Sequence, residues 1–218
     1  PFFNMPKVVE KWINIKGVTA VFGGEPESML QNIVDDMVQD RDISLHQGVF
    51  QKNGTRITGH QAAPLKNLNL LPVPDFEYYN WATDDRRVIP VMATRGCGWG
   101  KCLFCSDIIT SSTRTFRSRS KESVFNEIRL QSERYKSKSF IFFDSKLNSD
   151  LSLWSDIIDD FQSVVPGATW VATVHVDGNG DNGLDLEMLS KAYDAGLRRV
   201  SFGLETGSQS LNNKMLKG

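Results

Sequence analysis

The chain has little cysteine and nothing in its sequence to pair it. Of 218 residues only three are cysteine, Cys97, Cys102 and Cys105, and all lie in one short loop. A disulfide among them leaves an odd thiol, which argues against the bridged scaffold of small secreted domains. Histidine is equally scarce, at three residues, and the nearest on either side, His60 and His175, lie far from the cysteines in sequence. Charge of neither sign dominates: 25 Lys and Arg against 26 Asp and Glu leave a net −1. No broad basic face is implied, so nucleic acid is not favoured as a partner. No apolar run is long enough for a membrane-spanning helix, and none reads as a secretory leader. Free clustered thiols suit a reducing, cytoplasmic setting.

The rest of the composition is that of a globular protein, with 40% hydrophobic and 23% charged residues. The length allows one large domain or two small ones. The sequence starts at Pro1 without an initiator Met and stops at Gly218 inside what reads as a helix start. It is expected to be a piece of a longer protein.

The cysteines stand in Arg95-Gly96-Cys97-Gly98-Trp99-Gly100-Lys101-Cys102-Leu103-Phe104-Cys105, with gaps of four and two residues. Three clustered thiolates without a fourth partner suit a [4Fe–4S] cluster with one iron left open. Structural zinc usually takes four protein ligands, so a zinc module is the weaker reading. Chance core cysteines have no reason to adopt this spacing on a glycine-rich loop. Gly96, Gly98 and Gly100 would let the backbone wrap closely around a cluster.

Periodicity gives the architecture. A helix is expected over residues 1–16, with Val8, Val9, Trp12 and Ile13 at helical spacing. Val18–Phe22 reads as a strand, Gly23–Ser28 as a break, and Met29, Leu30, Ile33, Val34, Met37 and Val38 as one apolar helical face. Residues 48–57 read as a hairpin turning at Asn53-Gly54. Residues 61–85 hold three prolines and read as a linker. The domains are therefore 1–60, a linker at 61–85, and 86–218. Beyond the linker a β–α rhythm repeats four times, with strands at 88–93, 140–144, 170–176 and 199–205. Ser120 is placed to cap a helix carrying Val124, Phe125, Ile128 and Tyr135. A second helix carries Trp154, Ile157, Ile158, Phe161 and Val165. A third carries Leu186, Leu189, Ala192 and Tyr193, with Gly196 as its stop.

Four such units imply an α/β fold with a parallel sheet and right-handed crossovers, half of an eight-unit barrel. Chemistry in such folds sits at the carboxyl ends of the strands. The cysteine loop, Asp144, His175, Asp177 and Glu205 all fall there. Asp144 is weighed evenly against a simple turn cap, and His175 is more simply a satisfied rim residue.

The run Arg-Gly-Cys-x-Trp-Gly-Lys-Cys-x-Phe-Cys resembles the cluster loop of the radical SAM superfamily. It is most similar to the branch with an N-terminal cobalamin-binding domain, some members of which mature peptide natural products. The superfamily's usual spacing is Cys-x3-Cys-x2-Cys, and the longer first gap with Trp-Gly is a variant of that branch. The resemblance implies the end of a Rossmann-like cobalamin domain followed by the first four β/α units of a partial TIM-type barrel. It implies S-adenosylmethionine (SAM) on the open iron, cleaved reductively to methionine and a 5′-deoxyadenosyl radical. An electron donor such as a flavodoxin or ferredoxin, a small-molecule or peptide substrate, and cobalamin in the full-length protein follow from it. Methyl transfer to a substrate carbon is the expected reaction. Methylthiolation is the alternative, disfavoured because no cysteine precedes Cys97.

The resemblance also assigns cofactor contacts. Cys97, Cys102 and Cys105 would ligate iron, and Phe104 would pack near the adenine. Glu205, in Gly203-Leu204-Glu205, would meet the SAM ribose or amino group, and Asp144 the amino group. Arg117 and Arg119 would reach the SAM carboxylate. Gly24 and Glu25, in Gly23-Gly24-Glu25-Pro26-Glu27, match a segment that closes the cobalamin domain.

Overall fold

The computed structural model describes residues 5–79, 87–105, 116–176 and 182–217. The chain divides into two compact units. One comprises Pro1–Lys66, Gly100–Thr115 and Asn213–Lys217, the other Asn67–Trp99 and Phe116–Asn212, with Gly218.

In the first unit, helix α1 (Pro6–Ile13) starts with proline, whose fixed φ suits a first helical turn. Val9 and Ile13, one turn apart, bury against Val21 of strand β1 (Ala20–Phe22), whereas Trp12 is half exposed. Helix α2 (Leu30–Val38) buries only Ile33 of its expected apolar face. Leu30, Val34, Met37 and Val38 stay exposed. Strands β2 (Val49–Asn53) and β3 (Arg56–Gly59) form the expected hairpin. Asn53 pairs with Arg56, so the central turn residues are Gly54 and Thr55, one place on from Asn-Gly. Gly54, at φ +62°, takes the first central position, where glycine tolerates the left-handed backbone. β1 pairs with β2 in antiparallel register, so this sheet is antiparallel throughout. These three strands do not form a parallel Rossmann-like sheet.

The second unit carries the parallel sheet. Its strands are β4 (Ile89–Val91), β7 (Ser139–Phe142), β8 (Thr169–Thr173) and β9 (Leu197–Ser201), paired in chain order and all parallel. A short antiparallel pair, β5 (Thr94–Arg95) and β6 (Arg117–Ser118), flanks the exit of β4. The third and fourth strands end earlier than expected, at Thr173 and Ser201. β7 alternates buried Phe140 and Phe142 with outward neighbours rather than burying both faces, and Phe143 beyond it is exposed.

Helix α3 (Lys121–Tyr135) begins where Ser120 accepts a hydrogen bond from the Ser123 amide. Asp150 does the same for Leu153 at the start of α4 (Leu151–Val164), and Asp185 for Met188 at α5 (Leu186–Asp194). The core faces of α3 and α4 are as expected: Val124, Phe125, Ile128 and Tyr135 on one, Trp154, Ile157, Ile158 and Phe161 on the other, all buried. On α5 the face is rotated. Ala192 is buried and Met188 packs on the core, while Leu186 and Tyr193 point to solvent. A last short helix, α6 (Gln209–Lys214), ends the described chain.

Between sheet and helices lies an aromatic core. Trp170 stands edge-on to Phe142 and Trp154 at 5.6 and 5.8 Å, with Phe161 tilted against it at 5.6 Å. The Trp154 indole donates to the Gly183 carbonyl and the Trp170 indole to that of Ala195, so neither buried N–H is wasted. Residues 67–79 of the proline-rich segment are part of this unit. Leu68 is buried, Gln131 donates to the Pro74 carbonyl, and the Tyr135 hydroxyl donates to Asp75 and accepts from the Phe76 amide. Among the described residues no helix is long and apolar enough to cross a membrane.

Candidate cofactor site

The stretch between β4 and Cys97 is fixed from two sides. Asp144, just past β7, accepts from the Ala93 amide at 3.2 Å, the Thr94 amide at 2.5 Å and the Thr94 hydroxyl at 2.6 Å. It is buried. Burial pushes its carboxyl above the ordinary range, and these hydrogen bonds only partly oppose that. From the other side, the Arg119 amide donates to the Ala93 carbonyl and its guanidinium to that of Met92. The same buried guanidinium pairs with Glu127 at 2.5 Å and reaches the Ser123 carbonyl. Burial raises the Glu127 carboxyl and the Arg119 charge counteracts it. Arg119 is therefore committed to the fold rather than reaching for a SAM carboxylate. Arg117, paired through its backbone with Arg95, stands half-buried at the same edge.

Asn148 escaped sequence reading. It lies in the 3-10 turn Leu147–Ser149 between β7 and α4 and is buried. Its carbonyl accepts from the His175 amide at 2.9 Å, and its amide donates to the carbonyls of His175 and Asn182 at 2.9 and 2.8 Å. One side chain thus ties the exit of β7 to the exit of β8. A buried asparagine that makes both halves of a backbone pair is a packing feature with no periodic signal. Asp177 lies outside the described residues.

No disulfide joins the cysteines, and each is half-buried. Cys97 belongs to the second unit, Cys102 and Cys105 to the first. The Cys105 amide donates to the Cys102 carbonyl at 3.3 Å, closing a turn. Gly96 and Gly100 take φ of +86° and +60°, left-handed conformations that glycine adopts at no steric cost. Among the described residues no three His, Cys, Asp or Glu side chains are gathered closely enough to hold a metal ion. The donor set nonetheless fits an iron–sulfur cluster in kind: three unbridged thiols on a loop that leaves the end of a parallel strand.

The remaining expected contacts are dispersed. Phe104 is 42% exposed, with the Lys217 ammonium 6.0 Å from its ring centre. Glu205 is exposed and lies beyond the end of β9, in the left-handed region at φ +59°. Gly24 has φ +100°, and a Cβ there would come within 2.6 Å of the Ala62 carbonyl oxygen. Glu25 accepts from the Leu65 amide at 2.9 Å. Both are thereby engaged with the chain's own 62–65 segment.

No family model matches the chain, and no curated protein matches it. Solved structures do. The cobalamin-dependent SAM radical enzyme OxsB with aqua-cobalamin bound superposes with a TM-score of 0.75 at 16% identity, over 100% of this chain and 32% of that one. The radical SAM methyltransferase TsrM from Kitasatospora setae, with cobalamin and a [4Fe-4S] cluster, gives 0.70 at 18% identity, over 97% of this chain and 42% of that one. This chain has the fold of part of the cobalamin-dependent radical SAM enzymes. It spans well under half the length of the structures it matches.

Proposed function

We propose that this chain is part of a radical SAM enzyme, with Cys97, Cys102 and Cys105 holding a [4Fe–4S] cluster. The observation that carries the reading is the x4/x2 cysteine triad on a loop leaving the first strand of a parallel sheet, in a chain whose solved neighbours are cobalamin-dependent radical SAM enzymes. When bound, such a cluster would supply the electron for reductive cleavage of SAM, and so the start of radical chemistry. The protein's own residues would bind and orient. The three thiolates would hold iron, and Phe104, Arg117 and Glu205 would contact SAM. In the full-length protein Gly24 and Glu25 would border a cobalamin site. Methyl transfer to a carbon of a peptide or other natural product is the favoured reaction, with electrons from a flavodoxin or ferredoxin.

The test is anaerobic reconstitution of the full-length protein with iron and sulfide, then electron paramagnetic resonance of the reduced protein with and without SAM. A [4Fe–4S]⁺ signal that shifts with SAM supports the proposal. Uptake of zinc with no such signal overturns it in favour of a metal-binding module.

A further inference from the structure

Asp144 stands where a SAM contact was expected, yet its carboxylate is already engaged. Three donors converge on it, two from Thr94 and one from Ala93. A carboxylate has about four lone-pair sites, and this one is buried. The donors it holds are the last residues of the strand exit. Only Arg95 and Gly96 separate Thr94 from Cys97. Thr94 and Arg95 are also laddered to Ser118 and Arg117, and the carbonyls of Met92 and Ala93 are taken by Arg119. The backbone is thus fixed from Met92 to Arg95, with Gly96 as the pivot into the first cysteine.

We infer that Asp144 is a positioning residue for the cysteine loop: through Ala93 and Thr94 it sets where Cys97 presents its sulfur, and it is not a ligand of SAM. This inference rests on the proposed iron–sulfur function. Its logic is that of outer-shell carboxylates at metal sites, which orient a ligand they do not replace. In Asp144→Asn the side chain is isosteric, but one acceptor oxygen becomes an NH2 group facing amide donors. In Thr94→Val the hydroxyl donor is lost while both amides remain.

The experiment uses the full-length protein, reconstituted anaerobically, with circular dichroism to check folding. Iron retention is titrated with a chelator. The resonance of the reduced cluster and the SAM concentration that half-shifts it are then recorded. Asp144→Asn is expected to weaken iron retention by roughly 10- to 100-fold, the usual range for an outer-shell loss, and to change the cluster resonance. SAM is expected to half-shift the remaining signal at its wild-type concentration. Thr94→Val should move in the same direction by less. Phe161→Leu, a core change remote from the loop in sequence, should leave the resonance of the formed cluster as in wild type.

If Asp144→Asn keeps its iron and resonance, the inference is wrong, and more plainly so if SAM binding alone weakens. If Phe161→Leu alters the resonance as Asp144→Asn does, lost stability and not position is the cause, and the inference again fails. Should Asp144→Asn not fold, Thr94→Val decides alone: unchanged iron retention overturns the inference. A wild-type protein that never forms a cluster would sink the functional proposal, and this inference with it.

Discussion

Thr94 donates to Asp144 twice, through its amide at 2.5 Å and its hydroxyl at 2.6 Å, and so ties the exit of β4 to the exit of the neighbouring strand β7. The pair has a pH signature. Burial holds the Asp144 carboxyl above its ordinary value of 3.8. Between 3.8 and the raised value, the folded state binds more protons at this group than the unfolded state. The contribution of Asp144 to stability therefore falls as pH rises through that window and is constant on either side of it. Asp144→Asn removes the titration. The melting temperature of the wild type minus that of the variant should fall as pH rises across the window and then level off. A difference that does not vary with pH would show that Asp144 titrates alike in both states.

Arg119 and Glu127 form a buried ion pair, and the loss of one partner is expected to cost more than the loss of both. Glu127→Leu alone leaves the guanidinium buried with only carbonyl and hydroxyl partners. The expected destabilisation is about 3–5 kcal/mol. Arg119→Met with Glu127→Leu removes both charges and should recover most of that loss. Denaturant titrations of the three variants check this, and a double variant weaker than the single one would refute it.

The Asn148 clamp predicts a local effect. Asn148→Ala removes three hydrogen bonds, those to the His175 amide and to the carbonyls of His175 and Asn182. A typical hydrogen bond contributes about 0.5–1.5 kcal/mol. Hydrogen exchange at the His175 amide should accelerate markedly, while amides in the middle of β8 change much less. Uniform acceleration across the sheet would instead mark a global loss of stability.

Much of this organisation was legible in the sequence because it is periodic. The buried faces of α3 and α4 repeat at helical spacing, and the cap Ser120 stands directly before the first of them. The same rule misled at α2 and α5, where the pattern finds an apolar stripe but cannot say what covers it. Val38 and Leu186 carry that pattern and remain exposed. The antiparallel pairing of β1 with β2 was hidden because strand direction is a long-range choice that no local run encodes. At the site, the cysteine spacing is local and readable. The positions of Asp144, Arg119 and Asn148 are set by partners 27 to 51 residues away in sequence, so their roles appear only once the chain is folded.

The aromatic core makes the last prediction. Trp170 is fully buried, meets Phe142, Trp154 and Phe161, and spends its indole N–H on the Ala195 carbonyl. Trp170→Ala should cost about 3–5 kcal/mol, the range for deleting a large aromatic from a packed core. Trp170→Phe keeps much of the volume but removes one of the two donors to the Ala195 carbonyl, which Gln162 also reaches, so it should cost less but not nothing. Chemical denaturation separates the two contributions. If the phenylalanine variant is as stable as wild type, the hydrogen bond adds nothing and packing alone holds β8 against α4; if it is as weak as the alanine variant, the ring's shape and not its bulk is what this core requires.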